Sequence, residues 1–84
     1  MSQETVTVIF QAPKQKINVD IELPLNITAN DLVFALNEGY NLGIDTTDIK
    51  KCFLKAERPI ALLKGNKSLE DLGVRNGTVI IFSE

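Results

Sequence analysis

The chain has 84 residues, of which 44% are hydrophobic and 24% are charged. This length suits one domain with its own core, and we expect a single domain over residues 1–84. The formal charge of −2 excludes a basic nucleic-acid footprint, and there is neither His nor Trp. Most catalytic and metal-binding chemistry is therefore excluded. The composition predicts a non-enzymatic binding protein without cofactor or metal.

Cellular location is predicted from the lone cysteine and the distribution of apolar residues. Cys52 is the only cysteine, so no intramolecular disulfide forms. The first residues, MSQETV, lack the charged and apolar regions of a signal peptide. No stretch approaches the roughly 20 apolar residues that a membrane span requires. We therefore expect a cytoplasmic protein without membrane insertion.

The first two predicted elements form a β-hairpin. Apolar and polar residues alternate over residues 5–12 and again over residues 17–23, which is the period of a half-buried strand. Pro13 and the polar residues after it predict the turn between them. Two alternating runs joined by a short turn favour an antiparallel pair with one apolar face.

A helix is predicted next. Thr28 followed by Asp31 resembles a capping box, with Asp in place of Glu. Gly43 and Gly39 are competing predictions for the end of this helix. Five residues fall on one helical stripe that should face the core: Ala29, Leu32, Val33, Leu36 and Tyr40.

Two short strands are predicted after the helix, over residues 49–56 and 60–63. In the first of them Lys51, Phe53 and Lys55 share one face, while Cys52 and Leu54 share the other. Since lysines favour solvent, we expect Cys52 and Leu54 to point inward and Phe53 to be exposed.

The last elements are a helical turn and a strand. Ser68 is a predicted cap for one turn that ends at Gly73, and Asn76-Gly77 signals a tight turn. Residues 78–82 then form an apolar strand, which we expect to pair with the first strand. The predicted class is α+β, a roll in which a mixed four- to five-stranded sheet packs on one helix.

The order of these elements resembles the ubiquitin-like β-grasp family. The most specific stretch is residues 69–81, LEDLGVRNGTVII, which is similar to the closing pattern of that family. Within the fold, the size of the chain and its lysine-bearing third strand resemble the small YukD/EsaB-type proteins of Gram-positive bacteria. That resemblance implies an accessory role in type VII secretion. The shared motif consists of packing and turn residues, so it indicates fold more directly than function.

The end of the sequence bears on covalent attachment. Ubiquitin-like modifiers and sulfur carriers resemble one another in ending with a flexible tail and Gly-Gly, whereas this sequence ends in Phe82-Ser83-Glu84. The nearest glycine, Gly77, lies in the predicted turn before the last strand. We therefore expect no conjugation. A modifier or sulfur carrier that requires C-terminal processing is the alternative.

The outer face of the sheet is the main candidate site. If Val79 and Ile81 point into the core, then Ile80 and Phe82 point outward. Scattered exposed apolar residues are also normal, and a shift of one residue in register would bury both. The predicted protein-binding residues combine an apolar patch with a steering rim of lysines: Ile9, Phe53, Ile80, Phe82, Lys51 and Lys55.

Other charged and reactive residues have ordinary structural interpretations. The lysines near the third strand, including Lys50, Lys64 and Lys67, either attract an acidic partner or protect a solvated sheet edge. Buried cysteine usually acts as a small hydrophobe, and we expect this of Cys52.

The sequence and the resemblance together predict a non-enzymatic ubiquitin-like interaction module. It would occupy a surface on a larger protein, which the resemblance implies is a cytosolic part of a type VII secretion machine. No nucleic-acid partner is expected. The oligomeric state stays open, since a domain that only forms a homo-oligomer fits the same sequence.

Overall fold

The computed structural model describes residues 4–48, 50–58 and 60–82. One α-helix packs against a five-stranded mixed sheet, which confirms the predicted α+β class. The elements in chain order are β1 (Thr5–Ala12), β2 (Ile17–Pro24), α1 (Ala29–Tyr40), β3 (Leu54–Glu57), β4 (Ala61–Leu63) and β5 (Val79–Ile81).

The strand order across the sheet is β2-β1-β5-β3-β4. β1 and β5 run parallel, and the other three pairs are antiparallel. The predicted hairpin and the predicted pairing of first and last strands are both confirmed. A one-turn 3-10 helix at Pro13–Gln15 joins β1 to β2, and Lys16 closes it with a left-handed backbone at φ 59°.

The core lies between α1 and the inner face of the sheet. From β1 it takes alternate residues, including the fully buried Val8 and Phe10. The predicted helical stripe is confirmed for the buried Ala29, Leu32, Val33 and Leu36. Tyr40 is half-buried and packs against Phe10, with 5.2 Å between ring centroids.

The start of α1 was predicted correctly, and its end was not. The predicted start is confirmed, because the Asp31 amide donates to Thr28 Oγ1 at 3.1 Å. The end is neither Gly39 nor Gly43: Gly39 lies inside the helix, and Asn41 forms the left-handed cap at φ 56°. Asparagine tolerates this conformation better than most residues with a side chain.

The third strand is shorter than predicted and begins at Leu54. Before β3, Asp48 accepts hydrogen bonds from two backbone amides. Its carboxylate accepts from the Lys50 amide at 3.0 Å, and its carbonyl accepts from the Lys51 amide at 2.9 Å. These local bonds replace strand pairing. The fourth strand starts at Ala61, after a turn that includes Ile60. Predicted features at residues 49, 59, 83 and 84 lie outside the described residues.

The helical turn and the tight turn before β5 are confirmed. The Asp71 amide donates to Ser68 Oγ at 3.1 Å, and Gly73 has a left-handed φ of 83°. Gly77 has φ 88°, and its amide donates to the Thr7 carbonyl at 2.9 Å. After these turns, β5 lies between β1 and β3.

Candidate protein-binding surface

The solvent face of the sheet is built by the strand registers. Ile9 of β1 pairs with Val79 of β5. Ile81 of β5 pairs with Lys55 of β3, which in turn pairs with Leu62 of β4. Partners in adjacent strands share a face. Apolar side chains therefore lie on β1, β5 and β4 of the outer face, and Lys55 of β3 lies between Ile81 and Leu62.

A groove opens along the β4 side of this face, and we call it the outer groove. Its volume is about 390 Å³, and its lining includes Lys55, Glu57, Ile60, Leu62 and Ile81. Ile60 is 91% exposed and Leu62 is 43% exposed. Lys55 and Glu57, also exposed, give the groove one positive and one negative side chain.

The prediction of which β5 side chains face the core was wrong by one residue. Ile80 is fully buried, because its partner in β1 is the core residue Phe10. Phe82 is half-buried and packs against the core cluster. Ile81, predicted to point inward, lines the outer groove instead. Ile80 and Phe82 are therefore removed from the candidate surface.

The remaining predicted residues are only partly brought together. Ile9 is half-buried on the outer face, and Lys55 lines the groove. Phe53 directly precedes β3 and is half-buried, although it was predicted to be exposed. Lys51 is exposed, and its charge helps to lower the pKa of Asp45.

The sequence interpretation missed Ile60, Leu62 and Ile81. A signal existed for Leu62, because a strand that buries Leu63 must turn the preceding residue outward. No comparable signal existed for Ile81, since residues 79–82 are all apolar.

The far side of the outer face is acidic. Asp20 and Glu22 are exposed on β2, where their register partners are Ile9 and Thr7. Lys55 lies on β3, between Ile81 of β5 and Leu62 of β4. The outer face thus carries negative charge on β2, apolar side chains on β1 and β5, mixed charge on β3 and apolar Leu62 on β4.

Cys52 is buried, with 7% of its surface exposed, and it belongs to the core cluster. This burial confirms its predicted inward direction, together with that of Leu54, which is 1% exposed. Within the described parts of the chain, no group of three or more His, Cys, Asp or Glu side chains could hold a metal ion.

No helix in residues 4–48, 50–58 or 60–82 combines the length and apolar character needed to cross a membrane.

The sheet order and the single packed helix define the ubiquitin-like class of β-grasp domains. The sequence profile of the family described as "WXG100 protein secretion system (Wss), protein YukD" matches residues 5–82. The chain belongs to that family, as its resemblance to the YukD/EsaB-type proteins implied. No curated protein shows significant sequence similarity to this chain.

Solved structures share the fold at low sequence identity. The C-terminal ubiquitin-like domain of mouse tubulin-specific chaperone e has a TM-score of 0.73 at 16% identity, over 100% of this chain and 92% of that one. A ubiquitin-like domain from tubulin-binding cofactor B has a TM-score of 0.72 at 22% identity, with coverages of 95% and 89%. The ubiquitin-like domain of the Mycobacterium tuberculosis type VII secretion system protein ECCD1 has a TM-score of 0.55 at 24% identity, with coverages of 96% and 99%.

Proposed function

We propose that this protein is a non-enzymatic ubiquitin-like interaction module, an accessory or regulatory component of a bacterial type VII secretion system. It acts in the cytosol by non-covalent docking on a larger component of the secretion machine. Membership of the YukD family supports the connection to secretion. The ubiquitin-like domain of ECCD1, a type VII secretion protein, supports the use of this fold in such machines.

The exposed apolar side chains of the outer groove are the main support for the docking role. Exposed aliphatic side chains lie side by side there: Ile60 is 91% exposed, and Leu62 is 43% exposed. Burying one such side chain against a partner contributes about 1–2 kcal/mol through the hydrophobic effect. Apolar side chains clustered in a concave site are typical of the centre of a protein interface.

The charged residues around the groove orient the partner. Lys55 and Glu57 lie two residues apart on β3, and both line the groove. Charges at the rim of an interface change the association rate and the choice of partner more than the affinity. Because the two charges have opposite signs, the partner should present a complementary pair.

Ile60→Arg tests the proposal, because Ile60 lines the outer groove and is 91% exposed. The substitution places a charge in the outer groove and should abolish crosslinking to secretion-machine proteins in native cells, as quantified by mass spectrometry. Phe34→Arg is the control, since Phe34 is also an exposed large apolar residue but lies on α1 and does not line the groove. The control should retain the crosslinks.

Thermal unfolding of both variants verifies that each is folded. Retained crosslinks in folded Ile60→Arg, or equal loss in both variants, would contradict the docking role of the groove. Intact-mass measurement of the protein from native cells tests the non-covalent mode. A thiocarboxylate or isopeptide-linked form would favour the carrier or modifier function instead.

A further inference from the structure

A second concave region lies at the corner where α1 begins, and we call it the corner cavity. Its volume is about 630 Å³. Cys52, Leu62 and Leu72 supply apolar surface, and Asn30 and Asn66 supply polar groups. Leu62 lies on the edge strand β4 and borders both the corner cavity and the outer groove.

Three lysines surround this apolar surface: Lys50, Lys64 and Lys67. All three side chains are exposed, and no Asp or Glu lines the cavity. Among the described residues, none of the three ammonium groups has an ion-pair partner. The corner is therefore locally positive on a chain whose formal charge is −2.

Backbone hydrogen bonds hold the loop that carries Lys64 and Lys67. The Ala29 amide donates to the Lys67 carbonyl at 2.9 Å, and the Asn30 amide donates to the Gly65 carbonyl at 3.1 Å. The Gly65 amide in turn donates to Asn30 Oδ1 at 3.0 Å. Because the loop is already fixed to α1, binding there would lose little additional backbone entropy.

We propose that the corner cavity binds an acidic peptide segment of a partner protein, in which Asp or Glu residues flank a large apolar side chain. The carboxylates would lie near the lysine ammonium groups, and the apolar side chain would cover Leu62 and Leu72. An isolated phosphate would use the charges and leave the apolar surface in water. The combination of both features favours the peptide.

This binding site is separate from the role of the outer groove. Lys50, Lys64 and Lys67 line only the corner cavity, whereas Lys55 and Ile81 line only the outer groove. Substitutions in the two sets therefore test the two proposals independently.

Fluorescence anisotropy with three synthetic peptides tests the inference. The first peptide carries Leu-Phe flanked by Asp and Glu, the second has Asn and Gln in place of the acids, and the third has Ser-Ser in place of Leu-Phe. The first should bind at least about tenfold more tightly than either of the others, because each lacks one of the two interactions. Its affinity should also fall as salt concentration rises.

Charge reversal locates the binding. Lys67→Glu should weaken binding of the first peptide by about fivefold or more, by removing one attraction and adding one repulsion. Arg75→Glu makes the same charge change at an exposed residue that does not line the cavity, and it should alter the affinity by less than about twofold. In nitrogen-15 NMR, the peptide should shift the amide signals of Cys52, Gly65 and Asn66.

Four results would overturn the inference. The first is equal binding of the Ser-Ser peptide, which would indicate a general anion site. The second is equal weakening by Lys67→Glu and Arg75→Glu. The third is tighter binding of a thymidine oligonucleotide or a phosphatidylglycerol vesicle that Lys67→Glu abolishes. The fourth is amide shifts confined to Ile9 and Ile81, which would place the peptide in the outer groove and leave the proposed function intact.

Discussion

Thr78 is a polar residue within the apolar interior, and it is fully buried. Its hydroxyl donates to the Arg58 carbonyl at 2.9 Å and accepts from the Arg75 amide at 3.0 Å. This side chain therefore ties the turn after β3 to the turn before β5. Both bonds satisfy backbone groups that would otherwise lose their partners.

Thr78→Val should lower the free energy of unfolding by about 1–2 kcal/mol, because the valine keeps the shape and leaves two partly buried backbone groups without their partner. Thr5→Val is the control, since Thr5 is exposed on β1 and its replacement should change stability by less than about 0.5 kcal/mol. Urea denaturation measures both. Equal stability of the two variants would show that the hydroxyl contributes nothing.

Asp45 illustrates local control of ionisation. Its pKa is lowered from the ordinary 3.8, chiefly because the Thr47 hydroxyl donates to its carboxylate. The Thr47 amide donates to the same oxygen at 3.0 Å. A depressed pKa stabilises the fold at pH values above the unfolded-state pKa, and this stabilisation is lost as pH falls through the folded-state pKa.

Thr47→Ala should raise the pKa of Asp45 toward 3.8, since it removes the hydroxyl whose hydrogen bond does most to lower that pKa. A carbon-13 NMR titration of the carboxyl group measures the change. Asp48→Asn serves as a control that leaves the Thr47 hydroxyl in place. An unchanged Asp45 pKa in Thr47→Ala would contradict the assigned cause.

At the scale of elements, the way β5 turns Ile80 to the core and Ile81 to the outer face has measurable energetic consequences. Ile80→Ala should lower the free energy of unfolding by about 3 kcal/mol, because Ile80 is fully buried and the alanine leaves a cavity. Ile81→Ala should cost about 1 kcal/mol, since Ile81 is half-buried on the outer face. Urea denaturation of the two variants tests the register of β5. A larger loss of stability in Ile81→Ala than in Ile80→Ala would contradict it.

The elements differ in how far sequence could predict them. The hairpin and the start of α1 follow from alternation and from the Thr28 cap, which are both local signals. The end of α1 was missed because asparagine took the left-handed position expected of glycine. The late start of β3 was missed because Asp48 bonds to its neighbours' amides.

The candidate surface was harder to predict than the fold, because it depends on which way a uniformly apolar strand faces. Nothing within residues 79–82 distinguishes one side from the other, and only pairing with Phe10 places Ile80 inside. Lys51 and Lys55 were correctly predicted to be exposed, because lysine favours solvent. Their spatial neighbours depend on long-range contacts, so the sequence did not reveal that only Lys55 reaches the groove.

For the whole molecule, the last strand is also the central one. β5 lies between β1 and β3, and its pairing joins Ile9 to Val79. Truncation after Thr78 should therefore abolish cooperative folding, because it removes Ile80 from the core and leaves two strands without a shared partner. Circular dichroism during a urea titration checks this, with the full chain as reference. A cooperative transition in the truncated chain would contradict it.

The parallel pairing of β1 with β5 also fixes where flanking sequence can go. The Phe82 amide donates to the Gln11 carbonyl at 2.9 Å, so the chain leaves β5 beside the far end of β1. That position is about 20 Å from the beginning of β1, at roughly 3.3 Å per strand residue. Fusion partners attached at opposite termini would thus be held apart by the length of the sheet. A circular permutant would therefore require a linker that spans this distance of about 20 Å.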